Sequence, residues 1–268
     1  MKKAFAFLSI VVFLAACAST APVATTRASL SEQWDSGRII ADSHEGTFVV
    51  FGVSSRLPRL EDEIDAAKNY AARLVSMFHG VNGTTRFINR TSGSVLDFIA
   101  ESTIDITPID ANYTRFVEHL VFDPDRDVLR FDGKGLFGRG GTLVRFRYAA
   151  RVPHVNIADT TDADGRPYWV SDRNLPNIDG YRVAVGFSQN QEWLRDTVMR
   201  ATEAVAARLI EATHTATDTT TVEVSGVGTV TYITRVSSGV LNNFRILEFW
   251  VDPNNMSVYT LGIARLIN

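Results

Sequence analysis

The sequence predicts an α+β fold of two tandem related units, each a long helix packed on a mainly antiparallel sheet. Three observations carry that expectation. Val49-Val50-Phe51-Gly52-Val53-Ser54 matches Val183-Ala184-Val185-Gly186-Phe187-Ser188 at an offset of 134 residues, each an apolar strand broken by glycine and followed by a polar turn. After each strand comes an apolar stripe at helical spacing: Leu60, Ile64, Ala67, Ala71 and Val75 first, then Leu194, Val198, Ala201, Val205 and Leu209. The remainder of each segment reads mostly as strands, and strands meandering beside one helix favour an antiparallel sheet.

Before these units the chain carries Lys2 and Lys3, an apolar run at 4–13, and Leu14-Ala15-Ala16-Cys17. A charged start, a short apolar core and a small-residue cleavage site form a secretory signal peptide, 1–16. The apolar run is too short to span a bilayer, which needs about 20 residues. The four residues ending at Cys17 resemble a bacterial lipobox, with Cys17 as the lipidation site after cleavage. Cys17 is the only cysteine, so no intramolecular disulfide can form. Ala18 follows it, where an acidic residue would favour retention at an inner membrane, so the outer membrane is the expected site. Residues 17–33, rich in Ala, Thr and Ser, read as the acylated cysteine and a flexible tether.

The first unit spans 34–150, with its helix at 60–78, strands at 116–122 and 142–149, and a glycine-rich turn between them. A linker at 151–167 contains Pro153 and Gly165. The second unit spans 168–268, with a helix at 192–212 and strands at 244–251 and 257–266. Thr and Val favour strand over helix at 213–238. Trp34 and Trp169 each precede the first strand of a unit, and Phe122-Asp123-Pro124 matches Val251-Asp252-Pro253 at an offset of 129.

In the second unit, Pro167-Tyr168-Trp169-Val170, Val183-Ala184-Val185-Gly186 and Ala206-Ala207-Arg208-Leu209 resemble the Lpp-twenty family of bacterial envelope lipoproteins. The closing Leu247-Glu248-Phe249-Trp250-Val251-Asp252-Pro253 and Val258-Tyr259-Thr260-Leu261 are similar to the end of that domain. Tyr168 stands where family members often carry an acidic residue. The resemblance implies an envelope assembly or surface role and carries over no catalytic residue.

Other motifs read as structure. Gly133, Gly135 and Gly138 fit a dinucleotide fingerprint by letter, but the strand-like alternation at 142–149 replaces the helix that the phosphates would need. Asp162-Ala163-Asp164-Gly165 lacks the bidentate glutamate of a calcium loop, Ser171 standing there, and the Asp123, Asp125 and Asp127 cluster lacks its glycine; both read as solvated turns. His44, His79, His119, His154 and His214 are never paired at helical spacing, so no zinc site is expected. Arg56 follows Gly52-Val53-Ser54-Ser55 where a nucleophile elbow needs glycine. Arginines are spread among acids and read as solvated surface, while Trp34, Trp169, Trp193 and Trp250 read as packing residues.

Composition fits a globular chain, with 45% hydrophobic and 21% charged residues. Cleavage before Cys17 removes Lys2 and Lys3 and no acid, taking the formal net charge from −3 to −5. That mild acidity argues against a nucleic-acid partner. The expectation is a non-enzymatic lipoprotein in the cell envelope, held to the membrane by acyl chains on Cys17 and bound to an envelope protein or to peptidoglycan. No metal or cofactor is expected. The alternative is an envelope hydrolase with a Ser/His/Asp site assembled from scattered residues.

Overall fold

Two antiparallel sheets and two long helices dominate an α+β architecture with few helices. The computed structural model describes residues 28–41, 47–92, 95–132, 139–155, 157, 160–171, 175–212, 215–224 and 228–266.

The described chain begins with a short helix, α1 (Leu30–Asp35). This corrects the tether expectation at its C-terminal end. Ser29 and Glu32 form a reciprocal capping box, and Leu30 is fully buried in the core, so 29–33 belongs to the fold. Strand β1 (Arg38–Ile40) follows, then β2 (Thr47–Ser54) and the long helix α2 (Leu60–His79). Strands β3 (Val81–Ser92) and β4 (Val95–Pro108) form a hairpin. Strands β5 (Val128–Phe131) and β6 (Gly141–Arg151) close the first half. The second half holds β7 (Arg182–Ser188), α3 (Leu194–Glu211), β8 (Thr215–Val224), β9 (Gly228–Val251) and β10 (Val258–Leu266).

The strand expected at 116–122 is instead a 3-10 helix, Tyr113–His119. Its apolar residues Tyr113, Phe116, Val117 and Leu120 recur every three to four positions, which is helical rather than alternating. Asp110 accepts from the Asn112 N–H, and Phe116 stacks on His79, so the turn is held from both ends. Only Val121 keeps a strand contact, bridging to Arg147 of β6.

Strand β9 is the spine of the larger sheet, whose order runs β4-β3-β9-β10-β7. Its first half pairs with β3 on one side and β8 on the other; its second half pairs with β10 and β1. The smaller sheet is β2-β6-β5. Strands from 34–150 and from 168–268 therefore share one sheet through the β3–β9 and β1–β9 ladders.

Close approach of helix to strand occurs at two glycines. A Cβ on Gly52 would overlap the Ala67 carbonyl of α2, and one on Gly186 would overlap the Ala201 carbonyl of α3. The principal core gathers Phe51, Ala67, Val75, Phe146, Val205, Leu241 and Phe244, with the Phe51 and Phe249 rings edge to face at 5.3 Å between the sheets.

A second core, around Trp169, Val185, Trp250, Leu261 and Ile263, is covered by Val155, Ile157, Leu175 and Ile178. The segment read as a linker thus supplies packing residues: Val152 is buried, and the Pro153 carbonyl accepts from Arg245 at 2.8 Å.

The arginine expectation also needs correction. Arg38 bonds Glu248 through Nε at 2.5 Å and Nη2 at 3.0 Å, and both side chains are buried. Arg145 pairs with buried Asp127 at 2.5 Å. Asp127 is therefore no solvated turn residue; its carboxylate also accepts the Asp123 N–H. Charges in low dielectric demand partners, and the sequence spacing of 210 residues between Arg38 and Glu248 hides theirs.

Candidate functional site

A cleft of about 490 Å³ opens where the end of β2, the turn after it, α2, the 3-10 helix and the start of α3 meet. Helical spacing sets its wall. Ala66, Asn69, Tyr70 and Arg73 recur along α2 beside the stripe that packs into the core, and Arg195 and Met199 do the same on α3. Tyr113 adds an aromatic side, while Val53, Ser54 and Leu57 belong to its β2 end.

Charge and hydrogen bonding at the cleft are lopsided. Arg73 is part-exposed, reaches Glu203 at 3.9 Å and donates to the Ile106 carbonyl at 3.4 Å. Arg195 is exposed and makes no ion pair or hydrogen bond among the described residues. Ser54 is buried, and its hydroxyl finds no hydrogen-bond partner there. Asn69 spends one amide hydrogen on the Asp65 carbonyl at 2.9 Å. Burial raises the Tyr70 phenol above the ordinary tyrosine range, opposed chiefly by the Thr202 side chain and less by the Arg73 and Arg195 charges, so it stays neutral.

The turn at the cleft is held from beneath by Glu63. That carboxylate is fully buried, accepts the Leu57 N–H at 2.9 Å, and takes Arg130 Nη2 at 2.9 Å and Nε at 3.1 Å. Thr142 Oγ1 donates to it as well. Burial alone would raise the Glu63 pKa; the bonds from Arg130, Thr142 and Leu57 outweigh it and leave the group below its ordinary value. A depressed folded pKa contributes stability above the unfolded value of about 4.3 and loses it as pH falls through the folded value. Urea midpoints should accordingly drop on acidification below about pH 4.3, and Glu63→Gln should flatten that limb. An identical acid limb in the variant would show that other carboxylates govern it.

The residues singled out from sequence fall elsewhere. Cys17, His44, His214 and Gly133, Gly135 and Gly138 lie outside the described residues; the element after those glycines is strand β6, as the alternation predicts. Asp162 accepts the N–H groups of Asp164 and Arg166 and closes a turn at Gly165, whose φ is 76°. His79 is stacked on Phe116 at 5.3 Å, and burial followed by the Arg115 charge lowers its pKa. No histidine lines the cleft beside Ser54. Among the described residues, no group of three or more His, Cys, Asp or Glu is placed to hold a metal ion. No described helix is long and apolar enough to cross a membrane.

The cleft residues Tyr70, Arg73, Tyr113 and Arg195 were not picked out by motif. For Tyr70 and Arg73 the signal was the second stripe on α2, visible in the spacing but without a family signature; Tyr113 and Arg195 lie on other elements and had none. Comparison with protein-family models, curated proteins and solved structures finds no match.

Proposed function

We propose that this chain is a lipid-anchored protein of the cell envelope that works by binding or assembly, tethered through acyl chains on Cys17. The observation that carries the reading is the apolar run closed by Leu14-Ala15-Ala16-Cys17, the only cysteine of the chain. Several acyl chains hold a protein stably at a bilayer, each buried CH₂ contributing about 0.8 kcal/mol, where one chain is marginal. The cleft supports the binding half of the reading, because it gathers donors and a free cation on one open surface. The resemblance of the second half to the Lpp-twenty lipoproteins points the same way, toward the outer membrane.

The same proposal includes two related units. Both long helices start 134 residues apart after an extended residue, Arg59 or Trp193, that makes no side-chain cap. Three residues into each, a side chain reaches back to the same relative N–H: Glu63 to Leu57 and Thr197 to Gln191, the latter at 3.0 Å. Each unit pairs the strand before its long helix antiparallel with its last strand, Ser54 opposite Thr142 and Ser188 opposite Val258. Asp123 and Asp252 each cap a turn by accepting the N–H two residues on, at 3.1 Å and 2.9 Å. Strand β5 is the departure, an extra hairpin arm of the first unit.

Cys17→Ser should abolish the acyl mass increment and move the protein out of the membrane fraction. Wild-type protein found soluble, with no added mass on Cys17, would sink the anchor.

A further inference from the structure

We propose that the cleft between α2 and α3 binds an oxyanion, a carboxylate or phosphate carried on an apolar or aromatic body. The inference rests on the reading of this chain as a binding protein and names the chemistry of its ligand. Four observations converge on it. Arg73 and Arg195 both line the cleft, and no carboxylate lines it with them. Glu203 lies 3.9 Å from Arg73, and among the described residues Arg195 makes no ion pair. An arginine presents a rigid fork of donors matched to carboxylate or phosphate oxygens.

The second group is Ser54, buried at 1% exposure with an unsatisfied hydroxyl. A buried hydroxyl without a partner is costly to the fold, so one retained at a cleft is a candidate ligand donor. Tyr70, kept neutral by burial, offers a phenol on the same wall. The rest mixes apolar and aromatic side chains, Val53, Leu57, Ala66, Tyr113 and Met199, with the polar Ser55 and Asn69. Polar groups converging beside apolar and aromatic side chains can fix the orientation of a small ligand. The volume, about 490 Å³, lies within the range of such sites.

The test uses the full chain in nonionic detergent and calorimetric titration with three probes. N-acetylphenylalanine carries a carboxylate, phenyl phosphate a phosphate, and N-acetylphenylalaninamide neither. Saturable one-to-one binding of an anionic probe, with the amide at least about tenfold weaker, is expected. The stronger anion tells carboxylate from phosphate. Added salt should weaken the binding. Arg195→Ala should weaken it about tenfold or more, with Arg195→Lys recovering part of the loss. Ser54→Ala should weaken binding while the melting temperature holds or rises, because the variant removes an unpaired buried hydroxyl; a merely structural serine would not split the two readouts that way.

No saturable binding of either anion by the folded wild type, equal binding of the amide, or undiminished binding by Arg195→Ala would overturn the proposal. Those results leave the envelope binding reading standing. Release of phenol and inorganic phosphate from phenyl phosphate, abolished by Ser54→Ala, would instead sink the binding reading itself.

Discussion

Glu248→Ala should destabilise the fold by about 3–5 kcal/mol, because it removes the buried carboxylate that holds the Arg38 guanidinium bidentately. The pair is bidentate, at 2.5 Å and 3.0 Å, with the glutamate side chain at 0% and the arginine at 10% exposure. It ties β1 to β9, the spine of the larger sheet. Desolvating two charges offsets most of their attraction, so the pair itself adds little net stability. The consequence is a sharp asymmetry between single and double variants. Arg38→Met with Glu248→Leu should recover most or all of the lost stability, since no uncompensated charge remains and the volumes are similar. Urea unfolding of the three variants checks this. A double variant as unstable as Glu248→Ala would mean that the pair's other hydrogen bonds, and not the buried charge, set the cost.

What could be read from the sequence was whatever depends on local periodicity. The two long helices came from apolar stripes such as Leu194, Val198, Ala201, Val205 and Leu209, and all five of those side chains are buried. Strand β6 came from the alternation at 142–149, and β10 from its place after Asp252-Pro253, although β6 is buried on both faces over its first six residues. The 3-10 helix at Tyr113–His119 was misread because a seven-residue segment samples too few periods to separate a spacing of two from one of three. Pairings across great sequence distance were not legible at all. Nothing in the neighbourhood of Asp127 or Arg145 marks them as partners, and the arginines read as solvated surface include the buried Arg38, Arg145 and Arg245, on three different strands. The cleft was hidden for the same reason, since Arg195 and Ser54 meet only after β2 and α3 have packed. Its lining carries no motif because binding an oxyanion needs a fork of donors and a hydroxyl, not a fixed spacing of letters.

Gly186→Ala should cost about 3 kcal/mol, and Gly52→Ala a similar amount, because added methyl groups at these sites meet backbone that cannot rotate away. On Gly186 a Cβ would overlap the Ala201 carbonyl and stand 2.7 Å from the Val205 nitrogen of α3. On Gly52 it would overlap the Ala67 carbonyl and stand 2.7 Å from the Phe146 ring. Relief demands that a whole helix move outward, which would open the core around Val205 in one case and Ala67 in the other. At about 2–4 °C per kcal/mol for a chain of this size, each variant should melt about 10 °C lower. Gly165→Ala separates the steric cost from conformational strain: its φ of 76° disfavours alanine, yet no atom lies within 4 Å of the added Cβ. That control should lose only about 1 kcal/mol. The two glycines lie 134 residues apart, and each faces an alanine fifteen residues downstream, as the proposed duplication requires. If Gly186→Ala is severe and Gly52→Ala is no worse than the control, the likeness between the units stops at the sequence, and the proposed duplication loses its strongest structural support.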